Sequence, residues 1–235
     1  MISIDQDHQI LKARYMAVKR DYGTFSKAAP KHLKPLITNL GFQQTTGAYF
    51  LRKRESWEEG FYLQQSGYGS GNFWVEIGLS VPGMDTYWQT DPAEKSFGFI
   101  VGDRLGNYTD RFHSETYEAE DLATLQASVE LVAQHLQSAK AWFAQFTSLS
   151  DIASYYSKRN RGEIAACNTG YLLLLAGKPD EARIKLEYAK SKLQLAIAEN
   201  AASFKKRKPG KETLSYYELD IHRLKCVEAA LRECD

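Results

Sequence analysis

Phe73, Val75, Ile77, Leu79 and Val81 alternate with Asn72, Trp74, Glu76, Gly78 and Ser80, which is the clearest pattern in the chain. Such a period-2 run predicts a strand with one apolar face, which must lie on a core, and one mixed face. That combination suits an antiparallel sheet whose second side meets solvent. Shorter runs at Ala48–Arg54, Gly60–Ser66 and Phe97–Val101 predict three more strands. The connections Glu55–Glu59 and Gly67–Gly71 are far shorter than the dozen or so residues of a parallel crossover, so the first three strands must be antiparallel neighbours. A longer loop, Pro82–Ser96, carries Trp88 and leads to the fourth strand.

Elsewhere the period is helical. One helix is expected from about Asp7 to Tyr22, ending at Gly23. A second is expected to begin near His32, with Pro35 in its first turn, and to run to Leu40. Gly41 should stop it in the left-handed conformation, with Phe42 as an apolar clamp. After the strands, Leu122, Leu125, Val129, Val132, Leu136, Ala139, Phe143 and Phe146 follow 3-4 spacing and predict one long helix across the sheet's apolar face. Ser148 and Asp151 have the spacing of a capping box opening a helix to about Asn160. Helices at Ile164–Ala176 and Asp180–Asn200 are divided by Gly177-Lys178-Pro179, and Thr213–Arg232 closes the chain. The pattern therefore predicts an α+β fold: a four-stranded antiparallel meander covered by helices in residues 1–147, then an all-helical unit in residues 148–235.

Composition narrows the class. With 43% hydrophobic and 25% charged residues, the chain is globular and not intrinsically disordered. The longest apolar run, Leu172–Ala176, is far short of the roughly 18 residues of a membrane span. The first residues lack the charged and apolar regions of a signal peptide, and the three cysteines are an odd number, so a reducing cytoplasm and free thiols are expected. The net charge of +1 conceals a segregation. Residues 1–35 hold seven Lys/Arg against three Asp/Glu, residues 55–130 hold three against fourteen, and residues 148–235 hold sixteen against twelve. An acidic middle between two basic ends bears on the choice of partner.

Two stretches resemble known families. Lys34-Pro35-Leu36, Leu40-Gly41-Phe42, Tyr49-Phe50, Leu63-Gln64-Gln65-Ser66, Ile77-Gly78-Leu79 and Asp103-Arg104-Leu105-Gly106 lie between about residues 31 and 151. Together they resemble an uncharacterised bacterial domain family in which a helix ending in Gly-Phe feeds a four-stranded meander. Gln65 stands where that family has Lys, so no role for that cation carries over. The resemblance implies an α+β fold and, from some members, an immunity-type protein; it brings no catalytic residues. Asn168, Gly170, Ala176-Gly177, Asp180-Glu181-Ala182 and Ala189, within residues 168–190, resemble a single tetratricopeptide hairpin, whose small residues let two helices pack closely.

Chemical motifs are weak. Gly67-Tyr68-Gly69-Ser70-Gly71 joins two strands instead of opening a helix, so it reads as a hairpin loop and not a phosphate cradle. His8, His32, His113, His135 and His222 are scattered without metal-ligand spacing, and Cys167, Cys226 and Cys234 read as structural thiols, so neither a metal nor another cofactor is expected. His113-Ser114-Glu115 holds triad-type residues without triad spacing. Asp103 and Arg104 read as a local ion pair. Lys205–Lys208 reads as a solvated loop, because base-stacking aromatics are absent from it and nucleic acid is not the expected partner.

Trp57, Glu58 and Glu59 at a predicted hairpin tip, and Trp88 in the loop before the fourth strand, are the expected partner-binding residues, since binding energy concentrates on such aromatics. The expected function is protein binding, most concretely neutralisation of a basic toxin by an acidic face. The alternatives are a small enzyme acting on a nucleotide or phosphoester near Arg104, and a helical scaffold that holds a peptide.

Overall fold

The computed structural model describes residues 20–66, 71–88, 99–108, 116–206 and 209–235. The expected helix over Asp7–Tyr22 falls almost wholly outside them, as do His8, His113-Ser114-Glu115, most of the glycine-rich loop, Arg207, Lys208 and the first two residues of the expected strand Phe97–Val101, which is observed at Val101–Arg104 instead. The fold is α+β. The chain divides into two compact units, one drawn from Met1–Ser80 and Phe99–Ala144, the other from Val81–Gly98 and Gln145–Asp235. Residues 81–88, which the sequence pattern kept inside the first domain, thus group with the C-terminal helices.

The first unit is built on β1 (Gln43–Gln44), β2 (Tyr49–Lys53), β3 (Glu58–Gln65), β4 (Asn72–Ser80), β5 (Val101–Arg104) and β6 (Tyr117–Glu118). Their order is β1-β2-β3-β4-β5, with β6 also pairing with β4, and each pair is antiparallel. The register runs Phe50–Phe61–Ile77 across three strands, with Leu63 opposite Val75. One face therefore carries Phe50, Phe61, Leu63, Phe73, Val75, Ile77 and Leu79, all buried.

Helix α1 (Phe25–Leu33) precedes the sheet. Pro35 has no N–H to continue an α ladder, and the chain passes into two 3-10 turns, Lys34–Leu36 and Thr38–Leu40, instead of the expected single helix. Gly41 then takes φ 77°, left-handed as expected, and Phe42 is buried. Aromatic contacts tie these elements to the sheet. The Phe25 ring centroid lies 4.9 Å from that of Phe73, and Phe42 meets Phe61 at 5.1 Å and Phe143 at 5.9 Å.

The long helix is divided into α3 (Leu122–Ser138) and α4 (Lys140–Ala144). Asp121 caps α3: its carboxylate accepts the Thr124 N–H at 2.8 Å while Thr124 Oγ1 accepts the Asp121 N–H at 3.0 Å. At Ala139 the backbone turns to ψ −6°, which lets the adjacent Trp142 and Phe143 both bury. The 3-4 stripe survives the break, with Leu125, Val129, Val132, Leu136, Ala139 and Phe143 all inside.

In the second unit, α2 (Met84–Trp88) accompanies α5 (Leu149–Arg159), α6 (Glu163–Leu175), α7 (Pro179–Lys206) and α8 (Lys211–Arg232). Ser148 caps α5 by accepting the Asp151 N–H at 3.2 Å. Helix α6 is buried along most of its length and packs against both α5 and α7. It ends in a Schellman turn: Gly177 at φ 70° donates to Leu174 O at 2.9 Å, and Lys178 donates to Leu173 O at 2.9 Å. Helix α7 extends through Lys205 and Lys206, so half of the expected basic loop is helical. No described helix is long and apolar enough to cross a membrane.

Candidate functional site

The second face of the sheet is not a plain solvated surface. The register sets Leu51, Gly60, Gly78 and Gly102 in one row across β2 to β5. Three glycines side by side leave a trough, and the half-buried Phe99 ring fills it. A Cβ on Gly78 would stand 2.1 Å from Phe99 Cγ, and one on Gly60 2.9 Å from Phe99 Cε1. Gly60 and Gly78 are required by this close approach, not by left-handed backbone, whereas a Cβ on Gly102 would meet Phe99 at an ordinary 3.5 Å.

Beside the trough the next row reads Tyr49–Tyr62–Glu76–Arg104. The Tyr49 and Tyr62 rings stack at 4.8 Å with 16° between planes. The Tyr62 hydroxyl lies 2.8 Å from Gln64 Oε1. Trp74 Nε1 reaches Glu76 Oε1 at 3.4 Å, and the Arg104 guanidinium lies 5.2 Å from the Trp74 ring centroid. Burial first, then hydrogen bonding to Glu76 and its charge, hold the Tyr62 phenol well above its ordinary pKa; Tyr49 is raised by burial and by the same carboxylate. Both phenols therefore stay neutral across the physiological range. Tyr49, Tyr62, Gln64, Trp74 and Glu76 are all half-buried, and Arg104 is exposed. The arrangement offers flat aromatic area, hydrogen-bonding groups and one carboxylate beside one guanidinium.

Of the residues expected to bind a partner, Trp57, Glu58 and Glu59 belong to the first unit and Trp88 to the second. Trp57 is not at a surface tip: it is buried, with its Nε1 unpartnered among the described residues. Glu59 has no exposure. Its Oε2 accepts Arg52 Nε at 2.7 Å and its Oε1 accepts Arg54 Nε at 2.9 Å. Arg52 also donates to Leu40 O at 2.7 Å and lies 4.5 Å from the Phe42 ring centroid. A fully buried carboxylate paired with two guanidinium groups cannot act as a rim charge. Glu58 is half-buried at the start of β3, opposite Lys53 and Ser80.

Trp88 serves the second unit: its Nε1 donates to Asn168 Oδ1 at 2.9 Å and its ring meets Tyr171 edge-on at 5.2 Å. Asn168 in turn donates to Tyr156 Oη at 2.8 Å, and His222 Nε2 lies 3.0 Å from Trp88 O. His135 is engaged by the Tyr117 hydroxyl at 2.8 Å. The three cysteines are buried and free, and burial pushes the Cys167 thiol up to about 12, far from a reactive thiolate. Among the described residues no group of three His, Cys, Asp or Glu side chains is placed to hold a metal ion.

The sequence did carry a trace of the sheet site. Trp74 and Glu76 stand on the mixed side of the strongest strand pattern, where a solvated face would have no need of tryptophan. What the pattern could not supply was the register that brings Tyr49, Tyr62 and Arg104 beside them. Comparison of the chain with protein-family models, curated proteins and solved structures returned no match.

Proposed function

We propose that this protein acts by binding another protein, with the Tyr49–Tyr62–Trp74–Arg104 surface at the centre of the contact, and that it neutralises a basic toxin in the manner of an immunity protein. The observation that carries the reading is the half-exposed aromatic row on a rigid sheet. Tyr, Trp and Arg are the residue types on which interface energy concentrates, and strands hold them without the ordering cost of a loop. Glu76 at the centre of the row, and the excess of fourteen Asp/Glu over three Lys/Arg in residues 55–130, favour a basic partner.

The test is a pull-down with the product of the adjacent gene, followed by binding kinetics on variants of the sheet face. Trp74→Ala is expected to weaken the complex through faster dissociation, by about 2 kcal/mol or more, roughly thirtyfold in Kd. Unchanged affinity in both Trp74→Ala and Tyr62→Ala would remove this face from the contact. Turnover of a small phosphoester without any protein partner would replace the binding reading with an enzymatic one.

A further inference from the structure

The second unit holds a separate recognition feature. Between α5 and α7, over the first half of α6, lies an open cleft of about 420 Å³. Its floor is made of small residues, Ala166 and Thr169, and its rims carry Arg161, Ile184, Lys185 and Tyr188. Among the described residues no carboxylate lines it. Among the described residues neither Arg161 nor Lys185 has an ion-pair partner, so both cations are available to a ligand.

The apolar rim is unusually bare. Ile184 is 70% exposed, Tyr188 48% and Leu195 53%. At about 100° per residue these three share one stripe of α7, some 16 Å long, leading from the cleft toward the C-terminal end of the helix. Lys185 and Lys192 flank the stripe on the cleft side, with Lys192 Nζ 5.6 Å from the Tyr188 ring centroid. Glu187 falls on the opposite flank, and Glu181, at the N-terminal end, is paired with Lys178 at 2.9 Å. An apolar stripe edged by Lys185 and Lys192, with Glu199 on that flank only beyond Leu195, is complementary to a segment bearing apolar side chains beside carboxylates. Its length exceeds what a small molecule in the cleft would cover.

We propose that the α5–α6–α7 cleft and the adjoining stripe of α7 dock an acidic peptide segment of a partner protein, seating an apolar side chain over Ala166 and Thr169 between Arg161 and Lys185. This site goes beyond the sheet face and stands or falls separately from it.

The experiment uses the full chain and three short labelled peptides: one of Glu and Leu, one with Lys in place of Glu, and one with Ser in place of Leu. Fluorescence anisotropy should give saturable binding of the Glu/Leu peptide alone, weakening as salt rises. Arg161→Glu combined with Lys185→Glu, and separately Tyr188→Ser, should each reduce affinity about tenfold or more. All three positions are at the surface, so melting curves should match the unmodified protein. Trp74→Ala should bind the peptide normally, which separates this site from the sheet face. Absence of saturable binding, equal binding of the Lys/Leu peptide, or indifference to the cleft variants would overturn the proposal. So would displacement by a single-stranded oligonucleotide, or a dimer in sedimentation equilibrium that Tyr188→Ser dissociates.

Discussion

Glu59 shows how much one side chain's surroundings matter. In sequence it sits among Arg54, Glu55, Trp57 and Glu58, the composition of a charged loop tip. In the fold it is fully buried and closes a bridge between Arg52 and Arg54. Glu59→Ala would strand the largely buried Arg52 guanidinium, packed on Phe42, while the exposed Arg54 stays solvated, and is expected to cost about 3 kcal/mol in urea denaturation, as removal of one partner from a buried pair does. A loss near zero would mean that water reaches the pair. Asp151 works by charge at a helix start. Its carboxylate accepts the Thr147 hydroxyl at 2.8 Å, the Thr147 N–H at 3.0 Å and the Ser148 hydroxyl at 2.9 Å, and these bonds, Thr147's first, lower its pKa. A depressed folded pKa stabilises fully above the unfolded value, about 3.9, and the contribution is lost as pH falls through the folded one. Asp151→Asn should therefore melt below the unmodified protein at pH 7, with the gap closing between pH 4 and the acid extreme, to be followed by thermal melts across that range.

At the scale of elements, close approach governs what the helices can tolerate. A Cβ on Gly170 would lie 2.6 Å from Cγ and Cδ2 of Leu186, so α6 and α7 touch at a position with no room for a side chain. On propensity alone Gly170→Leu should gain up to about 1 kcal/mol. Overpacking of a dense core costs about 1–3 kcal/mol or more, and a rigid helix pair gives little. A net loss in melting temperature is expected, with partial rescue when Leu186→Ala is added. Stabilisation by the single change would show the two helices free to move apart. The same reasoning applies on the sheet, where Gly78 and Gly60 give way to the Phe99 ring.

For the whole molecule the governing quantity is how charge is distributed. The chain's net charge of +1 hides acidic residues concentrated in 55–130 and a basic C-terminal third. If the acidic stretch draws in a basic partner, Glu55→Gln with Glu58→Gln should slow association severalfold at low salt, leave dissociation nearly unchanged, and lose its effect above roughly 0.5 M salt. Stopped-flow association at two ionic strengths reads this directly, and a salt-independent rate would remove the steering. Glu59 is left out of that variant because its charge is spent within the fold.

What the sequence determined by itself was set by local rules. Period-2 alternation in 72–81, the short connections that force antiparallel neighbours, the Gly41 and Gly177 stops and the Ser148 cap all act within a few residues, so they were readable in order along the chain. The 3-4 stripe of 122–146 was readable too, although the break at Ala139 was not, because it follows from burying Trp142 and Phe143 together. Tertiary structure alone decided which polar positions are surface. Cross-strand register set Tyr49, Tyr62, Glu76 and Arg104 in one row, drew Glu59 between two arginines, and lined up three glycines beneath Phe99. Helix packing left Ile184, Tyr188 and Leu195 bare beside Arg161 and Lys185. These groupings join residues far apart in the chain, and no local pattern encodes a distance that only folding closes.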